Sequence, residues 1–210
     1  MLVTLLSVLI VGYLIGCIHG SNFAKLFTGV NLKEVGHGNA GASNAMLSLG
    51  WKFGVLVGLI DIGKGIVAII LGQFLLSNYT NFTPDQMSIL LYSIGAAVIL
   101  GHNFPIHMKF RGGKGTASLI GIFITINWQM GLIAVLFLIV FSLLTNYLII
   151  GVFALYMIFA ITAILQEPTI WPFFITISLF VIAIILHVEN INRMRLGTEP
   201  KVTTAFNKKR

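Results

Sequence analysis

The chain has 210 residues, of which 57% are hydrophobic and only 9% are charged, whereas a typical soluble domain carries about 25% charged residues. This composition excludes an ordinary soluble protein and predicts a membrane protein. The net charge of +7 does not indicate nucleic-acid binding, because the cations cluster at the ends of apolar runs and not on one polar face. The single cysteine, Cys17, excludes an intrachain disulfide and a cysteine-based metal site.

Seven apolar segments are predicted to cross the membrane, which makes the fold an all-α, polytopic integral membrane helix bundle. Residues 1–210 are predicted to form a single transmembrane domain, since no internal repeat is evident. Residues 1–16 are interpreted as a retained helix and not as a signal peptide, because they lack a basic beginning and a small-residue cleavage site. The predicted segments are 2–26, 51–76, 87–106, 113–127, 129–145, 147–165 and 170–192.

Charge placement predicts the topology. All but one of the 13 Lys and Arg residues lie in or beside three polar segments, 27–50, 101–116 and 187–210. The positive-inside rule therefore places all three segments in the cytoplasm. An even number of spans must then separate the second segment from the third. One long helix over residues 113–145 would give three spans, whereas a break at Asn127-Trp128-Gln129 gives four, so we expect the break. The N-terminus is accordingly expected outside the cell and the C-terminus inside.

The first polar segment alternates glycine with side chains that donate or accept hydrogen bonds, reading KEVGHGNAGASN from residue 33 to residue 44. Its glycines indicate a tightly turned backbone. The match to Gly-x-Gly-x-x-Gly does not indicate a dinucleotide site, because no strand precedes it. Ser43 either contributes to a binding site or caps the N-terminus of a following helix.

Asp61 and Lys64 lie three residues apart in the second predicted span, which is close enough for an ion pair. Ionisable residues inside a membrane are rare and usually functional. A purely structural pair is the favoured interpretation here, because the two charges neutralise each other and lie a turn or more from any motif.

The second polar segment contains two histidines, three cations and four glycines between apolar runs. Glycines around Lys114 allow backbone N–H groups to approach a ligand, and a helix that follows them would direct its positive end to the same place. This pattern indicates anion binding. It is not a Walker phosphate loop, since Met108 and Gly115 replace the required glycine and Ser or Thr. A basic loop that only sets topology is the alternative.

The third polar segment begins at the end of the last span with the sequence HVENINR, residues 187–193. His187 and Asn190 can share one helix face, as can Glu189 and Arg193. His187 could alternatively serve only the negative end of the helix dipole. A zinc site is not predicted, because the histidines at 37, 102, 107 and 187 lie in separated loops without metal-like spacing.

These three segments would bring histidine, asparagine, lysine and glycine-rich backbone to one membrane face. Cations and N–H groups suit a phosphate, and a histidine can act as a base toward a hydroxyl. The combination therefore favours a site that handles an acyl or phosphoryl group.

Motifs spread over nearly the whole chain point to one known family. The chain resembles the PlsY family of bacterial acyl-phosphate-dependent glycerol-3-phosphate acyltransferases. The residues that carry the resemblance are Tyr13-Leu14-Ile15-Gly16, Ala24-Lys25-Leu26-Phe27, Gly36-x-Gly38-Asn39-x-Gly41-Ala42-x-Asn44, Asp61-x-x-Lys64-Gly65, Gly101-His102-x-x-Pro105, Phe110-x-Gly112-Gly113-Lys114-Gly115 and His187-x-Glu189-Asn190-Ile191-x-Arg193.

The resemblance implies a seven-helix enzyme of the bacterial inner membrane with its motifs on the cytoplasmic side. Its substrates would be acyl phosphate and glycerol 3-phosphate, its products lysophosphatidic acid and phosphate, and it would need no metal or coenzyme A. Membrane lipid is an expected partner, and the soluble enzyme that forms acyl phosphate is a further candidate.

The resemblance also implies roles for single residues. The glycine-rich loop around Lys114 would bind phosphate, His187 would align or deprotonate the hydroxyl, and Glu189 would hold the third motif in shape. The catalytic candidates are His37, Lys114, His187, Glu189 and Asn190. The substrate-binding candidates are Lys33, Gly38, Asn39, Asn44, His102, Gly112, Gly113, Gly115 and Arg193.

Several positions depart from the family pattern. His37 replaces a serine and Lys33 replaces an arginine of the first motif, and Cys17-Ile18-His19 replaces Ser-Ile-Pro. Lysine keeps the charge but loses the planar bidentate fork of arginine. The chain therefore resembles a divergent paralogue. Two alternatives to acyl transfer stay open, a small organic-anion transporter and a catalytically silent lipid-binding paralogue.

Overall fold

The computed structural model describes residues 1–79 and 81–207, and their secondary structure is entirely helical. The cations Lys208, Lys209 and Arg210, used in the topology prediction, lie outside the described residues. A short 3-10 turn, Ile106–Met108, follows the fifth helix. The helices are α1 Leu2–Gly16, α2 Gly20–Thr28, α3 Ala42–Leu49, α4 Trp51–Tyr79, α5 Pro84–Asn103, α6 Thr116–Ile126, α7 Trp128–Thr145, α8 Leu148–Gln166, α9 Trp171–Leu186, α10 Val188–Arg195 and α11 Val202–Asn207.

The predicted integral membrane bundle is confirmed. Among the described residues, five helical stretches are long and apolar enough to cross a bilayer, or six if α9 and α10, which are bent by 51°, form one span. The remaining predicted segment contains α6, whose 11 residues extend only about 16 Å and are too short to cross a ~30 Å core alone.

The helix break predicted from charge placement is present at Asn127. This residue ends α6 and caps α7, since its side-chain oxygen accepts a hydrogen bond from Met130 N at 3.0 Å. An asparagine cap satisfies one of the N–H groups that the first turn of a helix leaves free. A single cap residue therefore separates two apolar helices that hydropathy alone would join.

The first predicted span is interrupted, in contrast to the single helix expected over residues 2–26. The chain leaves the helix at Cys17–His19 and resumes in α2. The carbonyls of Gly16 and Ile18, freed by this break, accept hydrogen bonds from Lys64 Nζ at 2.9 and 2.6 Å. The ammonium of Lys64 thus satisfies backbone groups that the apolar surroundings would otherwise leave unpaired.

Helix α5 occupies the centre of the bundle. Of an apolar 18-residue stretch within Pro84–Met108, 67% of the residues are buried, against 17% in α7. It packs closely on α1, where glycines replace side chains at the contact. A Cβ at Gly101 would meet the carbonyl oxygen of Tyr13 and lie 3.1 Å from Cys17 N. Small residues allow such close backbone approach between membrane helices. The polar C-terminal end of α5 is therefore held in the middle of the molecule.

The first polar segment is held by a small core of its own. Ala24, Leu32, Ala45 and Val57 are buried together and join α2, α3 and α4 beneath the loop. Helix α3 begins at Ala42 with Gly41 as its N-cap, so the alternative role of Ser43 as the N-cap is wrong. Because this packing lies directly under residues 33–41, it determines where their polar groups point.

The Gly101 contact predicts a strong position dependence of glycine substitutions. Gly101→Ala should destabilise the protein by about 1–3 kcal/mol, because the added methyl group forces α1 and α5 apart. Gly63→Ala is the matched control, since no atom lies within 4 Å of a Cβ at Gly63, and it should be neutral or stabilising by about 0.5–1 kcal/mol. Thermal unfolding in detergent measures both, and equal melting temperatures for the two variants would contradict the packing argument.

Candidate active site

The three polar segments meet at one cleft of about 640 Å³. Every residue of the predicted site lines it, so the structure brings all of them together. Arg111 and Glu199, to which no role was assigned from the sequence, line the same cleft. A wall of Ile120, Leu138, Ile149 and Val152 closes its apolar side.

Asn44 shapes the loop of the first segment from within. Its side chain is only 3% exposed. The Nδ2 group donates to the carbonyls of Leu32, Val35 and Asn39 at 2.9, 3.1 and 2.8 Å, and the Oδ1 atom accepts from His37 N at 2.9 Å. Because both amide hydrogens are used by the loop backbone, Asn44 has none left for a substrate and acts by positioning the loop.

Glycine is required at two turns of this loop. Gly36 and Gly38 have φ of 59° and 64°, a left-handed conformation that side chains rarely adopt. Asn39 Oδ1 accepts from Gly41 N at 3.0 Å and closes the next turn. The loop therefore has a defined shape, and His37 stands on it with an exposed side chain at the cleft wall.

Gly112 and Gly113 do not present free N–H groups to the cleft, in contrast to their predicted role. Gly112 N donates to Asn103 O at 2.9 Å and Gly113 N to His102 O at 3.0 Å, so both amides pair with the last carbonyls of α5. A Cβ at Gly113 would also collide with the ring of His102. These two glycines allow the loop to pack onto the end of α5 and thereby direct Lys114.

Lys114, Gly115 and the first residues of α6 also line the cleft. Gly115 has φ of 81° and begins α6 without a side-chain cap. Among the described residues, neither Lys114 N nor Gly115 N has an acceptor. The positive end of α6 and the ammonium of Lys114 are thus presented to the cleft together, which is the arrangement that binds an anion.

A chain of polar contacts links Lys114 to the third segment. Lys114 Nζ donates to Asn190 Oδ1. Asn190 Nδ2 donates to Glu199 Oε1 at 2.6 Å, and Arg193 Nε donates to Glu199 Oε2 at 2.7 Å. The carboxylate of Glu199 therefore fixes the amide of Asn190 with its oxygen toward Lys114.

Glu199, and not Glu189, holds the third segment in shape. The side chain of Glu189 is 79% exposed and lies 3.9 Å from Arg193, whereas that of Glu199 is 10% exposed and makes two short hydrogen bonds. The predicted role of Glu189 is wrong in this respect. Glu199 belongs to no recognised motif. The sequence marks it only as an isolated carboxylate in a basic tail.

Burial and neighbouring charges change the acidity of the loop lysines. Burial, together with the charge of Arg193, lowers the pKa of Lys114 to about 8, against the opposing effect of Glu189 and Glu199. Burial also lowers the pKa of Lys33, and Arg111 adds to that effect while Glu189 opposes it. Charged groups from all three segments thus act on one another across the cleft.

His187 lines the cleft at the junction of α9 and α10. Its Nδ1 lies 2.8 Å from Ala183 O, and because a carbonyl can only accept, Nδ1 carries the proton and Nε2 does not. The residue is 5% exposed, and Phe153 packs edge-on against its ring. The ring of His187 is therefore held in one orientation, with Nε2 as the nitrogen that can accept a proton.

Asp61 and Lys64 form a buried ion pair of 3.1 Å, which agrees with their structural interpretation. The pair is not remote from the motifs, however, since Lys64 Nζ lies 2.7 Å from His102 Nδ1 at the end of α5. His19, Asp61 and His102 also offer metal-ligand atoms within 4.8 Å of one another. The ammonium of Lys64 contacts two of these three side chains and supplies the positive charge there.

Comparison with known proteins gives one consistent result. The family model described as glycerol-3-phosphate acyltransferase matches residues 6–197. Glycerol-3-phosphate acyltransferase 1 of Oceanobacillus iheyensis is 44% identical over 200 residues, which are 95% of this chain and 96% of that protein. Glycerol-3-phosphate acyltransferase of Thermotoga petrophila is 37% identical, over 92% of this chain and 94% of that protein.

Two solved structures are similar in fold. They are crystal structures of PlsY, an integral membrane glycerol 3-phosphate acyltransferase, in its glycerol 3-phosphate and lysophosphatidic acid forms. Their TM-scores are 0.81 and 0.77, and each is 30% identical over 94% of this chain and 94% of that chain.

Lys114 makes anion binding dependent on pH. With a pKa of about 8, it loses its proton as the pH rises through that value. The affinity for sulfate, whose charge does not change in this range, should therefore fall about tenfold between about pH 7 and pH 9.5. Calorimetric titration measures this. Lys114→Arg keeps its charge and should lose much less affinity over the same range, and an equal loss in that variant would exclude Lys114 as the cause.

The two glutamates of the third segment should differ in their effect on stability. Glu199→Ala leaves Asn190 and Arg193 without their acceptor and should destabilise the protein by about 1–3 kcal/mol. Glu189→Ala removes an exposed pair and should change stability by no more than about 0.5 kcal/mol. Thermal unfolding of both variants in one detergent compares them, and a larger loss for Glu189→Ala would refute this assignment.

Proposed function

The chain belongs to the glycerol-3-phosphate acyltransferase family, and we propose that its cleft moves a fatty acyl group from acyl phosphate to the 1-hydroxyl of glycerol 3-phosphate. The products are lysophosphatidic acid, a precursor in phospholipid synthesis, and inorganic phosphate. The observation that carries the proposal is the joint placement of Lys114, the free end of α6 and His187 in one cleft with an apolar wall.

The charge of the cleft suits two phosphate-bearing substrates. Its wall carries the cations Lys33, Arg111, Lys114 and Arg193. The two carboxylates of the third segment are partly neutralised by Arg193, which lies beside both of them. An excess of positive charge in a concave, partly apolar site concentrates anions.

The reaction can be written with the groups present. The hydroxyl oxygen of glycerol 3-phosphate attacks the acyl carbonyl carbon, a carbon–oxygen ester bond forms, and the bond between the acyl carbon and the phosphate oxygen breaks. The phosphate leaves with the electron pair. His187 Nε2 takes the hydroxyl proton and passes it to the released phosphate. Lys114 and the N–H groups at the start of α6 stabilise the charge that grows on the leaving phosphate.

The acyl chain lies along the apolar side of the cleft. Ile120 of α6, Leu138 of α7, and Ile149 and Val152 of α8 form this side, and the outer faces of α7 and α8 expose large apolar residues, as lipid contact requires. A substrate with a long hydrocarbon tail can therefore remain in the bilayer while its phosphate reaches Lys114.

His37 stands where the family pattern has serine, on the loop held by Asn44. Its backbone N–H is fixed by Asn44 Oδ1 and its imidazole is free at the cleft wall. In our proposal the imidazole takes over the polar contact of the missing hydroxyl, and Lys33 supplies one charge to a substrate phosphate. The shape of the cleft wall around this phosphate is maintained by Gly38, Asn39 and Gly115.

The cleft faces the cytoplasm of the bacterial inner membrane, with the N-terminus outside and the C-terminus inside. The clustering of cations in the three polar segments supports this orientation. Glycerol 3-phosphate then enters from the cytoplasm, and acyl phosphate arrives from the bilayer or from the soluble enzyme that makes it. The polar residues gather at one end of the bundle, which favours an enzyme site over the alternative of an organic-anion transport path.

The activity can be tested directly. Purified protein reconstituted in liposomes with palmitoyl phosphate and radiolabelled glycerol 3-phosphate should form radiolabelled lysophosphatidic acid. His187→Ala should lower kcat by about 10²–10⁴-fold because the proton acceptor is lost. Lys114→Ala should lower kcat/KM by at least about 10²-fold because the leaving phosphate loses its charged partner. Lys52→Ala, which removes an exposed cation outside the cleft, should be fully active.

The alternatives give different outcomes in the same assay. No product above the Lys114→Ala level would contradict acyl transfer. Product that forms only after His37→Ser would identify the unaltered chain as a silent paralogue. Uptake of glycerol 3-phosphate into the liposomes without an acylated product would identify a transporter.

A further inference from the structure

A second concavity, of about 700 Å³, adjoins the cleft. We call it the basic vestibule and define it by the four cations in its wall, Lys25, Lys33, Lys109 and Arg111. Lys33 and Arg111 also line the cleft, whereas Lys25 and Lys109 do not. The vestibule is therefore continuous with the cleft through two shared residues.

Three separate elements build the vestibule. Lys25 lies in the last turn of α2, Lys33 in the first polar segment, and Lys109 and Arg111 in the loop after the 3-10 turn. Lys109 N donates to Ile106 O at 3.1 Å, and Arg111 N donates to Met108 O at 3.1 Å. Lys109 and the next residue both have a left-handed backbone, with φ of 53° and 59°. The cations thus stand on a structured turn.

The positive charge of the vestibule is not neutralised by the protein. Among the described residues, no carboxylate lies within 4.0 Å of any of the four cations. Glu34 is the single carboxylate in the wall, and its Oε1 accepts a 2.6 Å hydrogen bond from the neutral amide of Asn31. Burial lowers the pKa of Lys33, and repulsion from Arg111 adds to that effect while Glu189 opposes it. A multiply charged anion would relieve this repulsion.

The character of the wall indicates a water-soluble anion. Met108 is the one apolar side chain in it, and the others are polar or charged. The cleft, by contrast, has an apolar side suited to a hydrocarbon tail. Lys25, Lys109 and Arg111 are exposed to water.

We infer that the basic vestibule is a phosphate-monoester site that captures glycerol 3-phosphate from water and passes it to the cleft through Lys33 and Arg111. This inference rests on the proposed acyl transfer. Its physical basis is long-range attraction, since unpaired cations around a concave surface raise the local concentration of a dianion and its rate of association.

The test uses the double variant Lys25→Gln/Lys109→Gln, which removes two vestibule charges and leaves the cleft intact. At about 20 mM salt its KM for glycerol 3-phosphate should rise about threefold to tenfold with unchanged kcat, while the KM for palmitoyl phosphate stays constant. At about 500 mM salt the difference should nearly disappear, because the Debye length, the distance over which salt screens charges, is then shorter than the vestibule. Lys52→Gln/Lys201→Gln is the matched control, since it removes two exposed cations that line neither cavity and should match the unaltered protein.

Two results in active protein would overturn the inference. The first is an unchanged KM for glycerol 3-phosphate at low salt. The second is an effect that appears only in liposomes with phosphatidic acid and not in neutral liposomes, which would assign the vestibule to a lipid headgroup.

Failure of the proposed function is recognised separately. If the unaltered protein forms no product, calorimetric titration of glycerol 3-phosphate into Lys114→Ala and into the triple variant with both vestibule substitutions still measures capture. Weaker binding by the triple variant supports the vestibule, and equal binding overturns it.

Discussion

The ammonium of Lys64 joins three helices beneath the cleft, and the arrangement of the polar segments depends on it. It donates to the carbonyls of Gly16 and Ile18 where the first span is broken, pairs with Asp61 on its own helix, and lies beside His102 at the end of α5. A buried charge in a membrane is costly unless it is paired and hydrogen-bonded. Since these partners come from α1, α4 and α5, the ends of the three helices are held in one place.

The glycine-rich loop links the position of the α5 end to the position of Lys114 in the cleft. The amides of Gly112 and Gly113 pair with the carbonyls of Asn103 and His102, so hydrogen bonds fix the loop to the end of α5. Lys114 Nζ then donates to Asn190, and the free N–H groups at the start of α6 follow Lys114 directly in the chain. A polar framework that is already in place does not need to reorganise when charge develops on a phosphate, which is the main source of electrostatic catalysis.

Some features were predictable from the sequence and others were not, and the difference follows the range of the interactions. The placement of Lys and Arg predicted the break at Asn127, because the positive-inside rule needs only the positions of the cations along the chain. The break at Cys17–His19 escaped prediction, because it depends on Lys64, which is nearly 50 residues away in the chain. Glu199 escaped for the same reason, since its partners become visible only when the tail folds back over α10.

The sequence by itself determined the class of the protein, the family and most of the residues around the cleft. These properties follow from composition, from charge placement and from side-chain types in ordered motifs, all of which are present in the unfolded chain. Only the tertiary structure decided what several residues contact: that Asn44 and two of the glycines position backbone, that Glu199 replaces Glu189 as the anchoring carboxylate, and that Ala183 O holds His187 through Nδ1. The physical reason is that a hydrogen-bonding group has a role only once its partner is known, and most of these partners are brought together by helix packing.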